Sequence, residues 1–240
     1  MYADYPGLTH QLSTLSWGHL LEFGCGDGGF LKYVLELNSP VESIVAIDIN
    51  PQAVARAQEV LAEYSIHFTV ERNLPLSLES DWFDTITLTN TLHHLEHKGE
   101  VLTEVQRVLK SNGQIIITEM ISNDLSFAEQ AYCRFHALRA EIDVLRGQYH
   151  DRTYTSEEIL SLIVDSGLKI KESEILECNQ SPDLEPSELA KWLGTIDELV
   201  ESQRQHPEYP ALQNKAESIK AQIRSHGLIK PRQIFIKTGL

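Results

Sequence analysis

Glu22, Gly24, Gly26, Gly28 and Gly29 share one short stretch, and Asp48 follows at the end of the next apolar run. Glycines after a buried run and before a helical pattern form a tight turn whose backbone can approach a ligand closely, with helix N–H groups facing it. Gly24, Gly26 and Gly29 satisfy the G-x-G-x-x-G spacing, and an acid placed like Asp48 accepts hydrogen bonds from ribose hydroxyls. Such a turn suits a dinucleotide or another adenosyl cofactor. Glu22 tilts the balance, because a carboxylate there repels a pyrophosphate but attracts an ammonium group. A structural role for Glu22, bonding the glycine loop, stays open beside cofactor contact.

A second set carries proton chemistry. Glu129, His136, Asp143 and His150 recur every seven residues, nearly two helical turns, and so share one face. With His94 they supply three histidines, His94, His136 and His150, any of which could serve as a general base. A polar seam is the competing reading. No metal site is expected, since seven residues rise roughly 10 Å along a helix. Only a break at Gly147, folding His150 back, would bring the last pair close. For His93 and His94 together a packing or loop-fixing role is the commoner explanation.

The elements that must position these groups alternate. Apolar runs at residues 20–23, 44–47, 66–70, 83–88 and 115–117 read as strands, the third near a sheet edge. Between them helical spacing gives a helix from Phe30 stopped by Asn38-Ser39-Pro40, one opened by Pro51, and one through Val101 and Val108 closed by Ser111-Asn112-Gly113. Strands and helices at this interval imply a doubly wound parallel sheet. After Met120 a longer helix runs to Gly147, Thr155 and Glu158 form a capping box, residues 168–176 read as a sixth strand, and residues 233–237 as the last. The domain division expected is 1–178 with 227–240 as one α/β domain, and 179–226 as a helical insertion acting as lid or interface.

Bulk properties narrow the partners. Lys and Arg number 20 against 35 Asp and Glu, a formal net charge of −15, which repels phosphate backbones and anionic membranes. Cys25, Cys133 and Cys178 are widely spaced without a C-x-x-C pair, which fits a reducing cytoplasm. Neither a leader sequence nor a membrane span is expected. A homodimer stays open.

Leu20-Leu21-Glu22-Phe23-Gly24-Cys25-Gly26-Asp27-Gly28, Asp48, Leu74-Pro75, Asp81-Trp82-Phe83-Asp84, Leu92-His93-His94-Leu95 and Arg107-Val108-Leu109-Lys110-Ser111-Asn112-Gly113-Gln114, in this order, resemble class I S-adenosylmethionine-dependent methyltransferases. The resemblance covers residues 18 to 120 closely and 154–168 loosely. It implies an α/β fold with a seven-stranded, mostly parallel sheet whose last strand is antiparallel. It also implies a cofactor site: Glu22, Gly24, Gly26 and Gly28 near the methionine part of S-adenosylmethionine, Asp48 at the ribose, Asn90 passing the sulfonium, and Ile49, Glu71 and Asn73 among the further cofactor-binding residues. Glu71 stands nearest the place of the adenine-contacting acid, with Arg72 and Asn73 where small residues are usual.

The expectation that follows is methyl transfer to a small-molecule acceptor. No Asn/Asp-Pro-Pro-aromatic grip for a flipped base and no Pro-Cys nucleophile follow the fourth strand, which with the charge disfavours nucleic acid. Phe127, Tyr132, Phe135, Trp192 and Leu193 are candidates for a lid or acceptor pocket, or equally for a core or a dimer interface. Two alternatives are an NAD-dependent oxidoreductase, which shares the glycine spacing, and a cofactor-binding regulatory partner without catalysis. An antiparallel last strand discriminates against the first.

Overall fold

The computed structural model describes residues 2–37 and 40–240. The helix stop expected at Asn38 and Ser39 lies outside the described residues. In chain order the elements are α1 (Pro6–Ser13), β1 (Gly18–Phe23), α2 (Gly29–Glu36), β2 (Val41–Asp48), α3 (Pro51–Val60), β3 (His67–Val70), β4 (Phe83–Thr89), α4 (Lys98–Val108), β5 (Leu109–Met120), α5 (Phe127–Leu145), α6 (Ser156–Asp165), β6 (Lys169–Leu176), α7 (Pro186–Glu201), α8 (Tyr209–His226) and β7 (Gln233–Gly239). Short 3-10 turns stand at Tyr2–Asp4 and Leu92–His94.

The seven strands form one sheet in the order β3-β2-β1-β4-β5-β7-β6. β1 to β5 run parallel to one another, and β7 enters antiparallel between β5 and β6. Strand order reverses beside β1, where β2 lies on one side and β4 on the other, so the crevice for a ligand opens at the carboxyl ends of these strands.

Alternate residues of each strand feed opposite faces. Leu20, Ala46, Ile116 and Phe235 pack with Leu8, Leu12, Leu31, Val34, Val54 and Ala57 of the first three helices. Their strand neighbours Leu21, Ile47, Ile115, Ile117, Ile234 and Ile236 pack with Val101, Leu102, Val105, Ile159 and Ile163 of α4 and α6. Burial on both faces is why these strands read as near-continuous apolar runs.

A third core joins α5, α7 and α8 through Leu138, Ile142, Ile196, Val200, Leu212 and Ile219. Trp192 packs edge-on to Tyr132 and Phe135, with ring centroids 6.0 and 5.4 Å apart. These aromatic side chains therefore pack in the interhelical core, one of the roles open to them. Phe127 is exposed and lies against His226.

One boundary differs from expectation. α4 ends at Val108, before Ser111-Asn112-Gly113, because Leu109 already pairs with Phe83 and the Ser111 amide donates to Asp81. Six residues of β5 then stand opposite three of β4, from Leu109↔Phe83 to Gln114↔Thr85, a bulge that absorbs the excess.

The amino-terminal segment is pinned at a distance. The Tyr5 hydroxyl donates to the Pro231 carbonyl at 2.8 Å, Lys230 pairs with Asp4, and the Asn179 amide donates to the Asp4 carbonyl. Among the described residues no helix is long and apolar enough to cross a membrane.

Candidate active site

A cleft of about 830 Å³ lies over the carboxyl ends of β1 to β4. The turn after β1 forms its floor. Gly24 sits at φ +79°, and a Cβ there would stand 2.7 Å from the Thr91 side chain, so both conformation and space require glycine. Gly26, at φ +52°, faces open space.

The amides of this turn are largely used within the protein. Gly24 and Cys25 both donate to the Ile47 carbonyl at 2.9 Å, and Gly26 donates to Asp48 Oδ2 at 2.9 Å. Asp48 Oδ1 accepts the Asn50 amide at 2.9 Å, while the Asn50 side chain caps α3 ahead of Pro51. The carboxylate of Asp48 is thus fixed by backbone donors on both oxygens. Each oxygen keeps a second lone pair for an outside hydroxyl.

Glu22 is 1% exposed at the cleft wall and accepts the Thr87 hydroxyl. Burial pushes its carboxyl up to about 8, with the Thr87 hydrogen bond pulling the other way. A cation entering the cleft would restore its charge.

Above β4, Asn90 holds φ +50°, its amide donating to the Thr118 carbonyl at 2.8 Å. Its side-chain carbonyl and the Thr89 hydroxyl are buried at the cleft without a hydrogen-bond partner. Buried polar atoms carry a cost unless something satisfies them. Ile49, 66% exposed, offers the cleft an apolar surface. Orphaned polar atoms, a fixed carboxylate, a buried acid and an apolar side chain match the parts of S-adenosylmethionine: hydroxyls, an ammonium group and a flat base.

The opposite wall is Arg139 and Asp143 of α5 with Gly147, Gln148 and Tyr149 beyond it. α5 ends in a Schellman turn: the Gly147 amide donates to the Val144 carbonyl and the Gln148 amide to the Asp143 carbonyl, both at 2.9 Å, with Gly147 at φ +78°. The turn reverses the chain and returns His150 Nδ1 to 2.8 Å from Asp143 Oδ2 and Nε2 to 3.2 Å from His136 Nε2. His94 faces the cleft in front of them, 4.1 Å from His150 and 4.3 Å from His93 between ring centroids.

Burial, reinforced by His93, His150 and Arg139, lowers His94 to about 2. His136 falls to about 2 for the same leading reason. For Asp143, burial raises the carboxyl but the His150 hydrogen bond and the Arg139 and Arg146 charges outweigh it and hold it below the usual range.

Of the residues singled out in the sequence, Glu22, Gly24, Gly26, Asp48, Ile49, Glu71, Asn90 and His94 line this cleft. Four do not. Gly28, the N-cap of α2 at φ +82°, faces α3, where a Cβ would stand 2.9 Å from Leu61. Asn73 lies past β3, outside the lining. His136 and His150 are buried behind His94. Only a break at Gly147 was expected to bring Asp143 and His150 together, and the Schellman turn supplies that break. Tyr2, Cys25, Arg139, Gln148 and Tyr149 also line the cleft. Gly147 was the one sequence signal for the last two.

Residues 21–115 match the family model described as a methyltransferase domain. Residues 21–115 thus carry a methyltransferase domain of the class I S-adenosylmethionine-dependent type. Similar curated members are ajmaline N-methyltransferase of Rauvolfia serpentina, 30% identical over 117 residues (47% of this chain, 40% of that one), and a small RNA 2′-O-methyltransferase of Schizosaccharomyces pombe. The latter is 42% identical over 62 residues, 25% of this chain and 16% of that one. The chain spans from 3% to 55% of the length of such relatives. A methyltransferase structure from Methanosarcina mazei shares the fold at TM-score 0.57 and 17% identity, covering 98% of this chain and 96% of that one.

Proposed function

We propose that this methyltransferase-family chain transfers the methyl group of S-adenosylmethionine to a small-molecule acceptor. The observation that carries the reading is the single cleft joining the cofactor-type groups, Glu22, Asp48 and Asn90, to a second wall of Arg139, Asp143, Tyr149 and His94. When bound, the cofactor supplies a methyl group already activated by its sulfonium. The protein's part is alignment and exclusion of water.

In this reading Asp48 holds the ribose, Ile49 and Glu71 flank the base, and Glu22 and Asn90 hold the amino-acid end. His94 is the catalytic candidate that reaches the cleft. Its neutral imidazole accepts a hydrogen bond from the acceptor through one ring nitrogen and orients it. His136 and His150 act through it as positioning residues. The helical segment 179–226, packed on α5, buttresses the acceptor wall. The antiparallel β7 supports methyl transfer over the nicotinamide alternative.

Calorimetry with S-adenosylmethionine and S-adenosylhomocysteine tests the first half, and labelled methyl transfer into a metabolite panel with a small-RNA arm tests the second. Binding plus label in a small acceptor is expected. Absence of binding to either ligand overturns the reading, and label found in RNA alone overturns its small-molecule part.

A further inference from the structure

His93 from the turn after β4, His136 from the middle of α5 and His150 from beyond the Gly147 turn each offer one ring nitrogen, all within 4.8 Å of one another. The three side chains are more than nine-tenths buried. They come from segments separated widely in the chain, so their convergence is a product of the fold.

The hydrogen bonds fix which nitrogens are free. His93 Nδ1 lies 2.7 Å from Glu119 Oε1, and His150 Nδ1 lies 2.8 Å from Asp143 Oδ2. A carboxylate accepts, so each imidazole donates its Nδ1–H and leaves a lone pair on Nε2. Glu119 is locked in turn by the Leu92 amide at 3.0 Å. His136 presents Nε2 to His150 Nε2 at 3.2 Å, and its own Nδ1 is buried with no partner.

Two arrangements satisfy that 3.2 Å contact. Either His136 carries its proton on Nε2 and donates to His150, or both Nε2 lone pairs converge on a cation. Two nitrogens bound tetrahedrally at about 2.0–2.1 Å stand about 3.3 Å apart, the spacing found. Carboxylates behind two of the imidazoles are the outer partners that orient metal-bound histidines, and together they balance a double positive charge.

We propose that His93, His136 and His150 bind a divalent transition-metal ion of the zinc class, one imidazole ring behind the cleft. Three imidazoles select zinc, cobalt or nickel over magnesium or calcium. Three protein ligands leave a coordination position for water. His94 stands between this ion and the cleft, and the ion ties the post-β4 turn, α5 and the returning loop into one wall.

The test is a titration of untagged full-length protein, stripped with a chelator, by Co²⁺ and then Zn²⁺. Visible ligand-field bands of a four-coordinate site are expected at about one ion per chain, with a zinc-dependent rise in melting temperature. Asp143→Asn weakens cobalt binding roughly 10- to 100-fold, and His136→Asn abolishes the bands. Wild-type protein, folded by circular dichroism, that shows neither bands nor a melting shift overturns the site. So does wild-type affinity in both variants. Should His136→Asn fail to fold, the wild-type and Asp143→Asn titrations decide. No readout depends on methyl transfer, so failure here leaves the proposed function standing.

Discussion

On the glycine-turn wall, Gly26 and Asp48 are joined by one hydrogen bond between the ends of adjacent parallel strands, and every group sits a few residues from a strand terminus. On the facing wall, His93, His136 and His150 meet from three segments, and their meeting depends on the Gly147 reversal. The first wall is a local product of a strand–turn–helix sequence. The second is tertiary. A local site fails when its own residues change, whereas a tertiary site fails when a distant turn does.

That contrast can be broken by substitution, beginning with the largest effect. Gly24→Ala places a Cβ on Thr91 at a positive φ and costs roughly 2 kcal/mol or more of stability; chemical denaturation measures it, and unchanged stability would refute the close packing described. Asp48→Ala weakens S-adenosylhomocysteine binding at least about tenfold, or roughly 1.4 kcal/mol, read by calorimetry. Gly147→Ala meets no neighbouring atom but must hold φ +78°, so it costs about 1 kcal/mol. Cofactor affinity should stay unchanged while acceptor KM rises. Equal damage to both would remove the distinction between the walls.

The remaining effect is a slope with pH. Glu22 has a folded-state value raised to about 8 from 4.5, so between those limits the folded chain holds a proton that the unfolded chain has lost. Its contribution to stability is therefore full below 4.5 and declines as pH rises through 8. Melting temperatures of Glu22→Gln minus wild type should increase across that window in ligand-free protein. A flat difference would mean that Glu22 is not held protonated by burial.

The same division explains what the sequence made legible. β1, β2, β4 and the turn after β1 follow from apolar runs and glycines whose meaning is local. The ends of α4 and β5 do not, because the pairing of Leu109 with Phe83 competes with an apparent glycine stop. Gly28 carries the spacing of a cofactor glycine yet serves the contact with α3, since spacing does not say which way a missing Cβ would point. For the histidines, a seven-residue period described a straight helix as far as Gly147, and the break there, the one condition under which the last pair could meet, is what brings His150 to Asp143; the approach of His93 and His136 to His150 is tertiary and has no local signal.

The pinning of the amino-terminal segment has a consequence for ligand coupling. Tyr2 lines the cleft, while Asp4 and Tyr5 are tied to Lys230 and Pro231 just before β7. A ligand that rests on Tyr2 therefore tightens the joint between the two ends of the described chain, and by reciprocity that joint strengthens the ligand's hold. Protease resistance at residues 2–15 is therefore expected to rise with cleft occupancy.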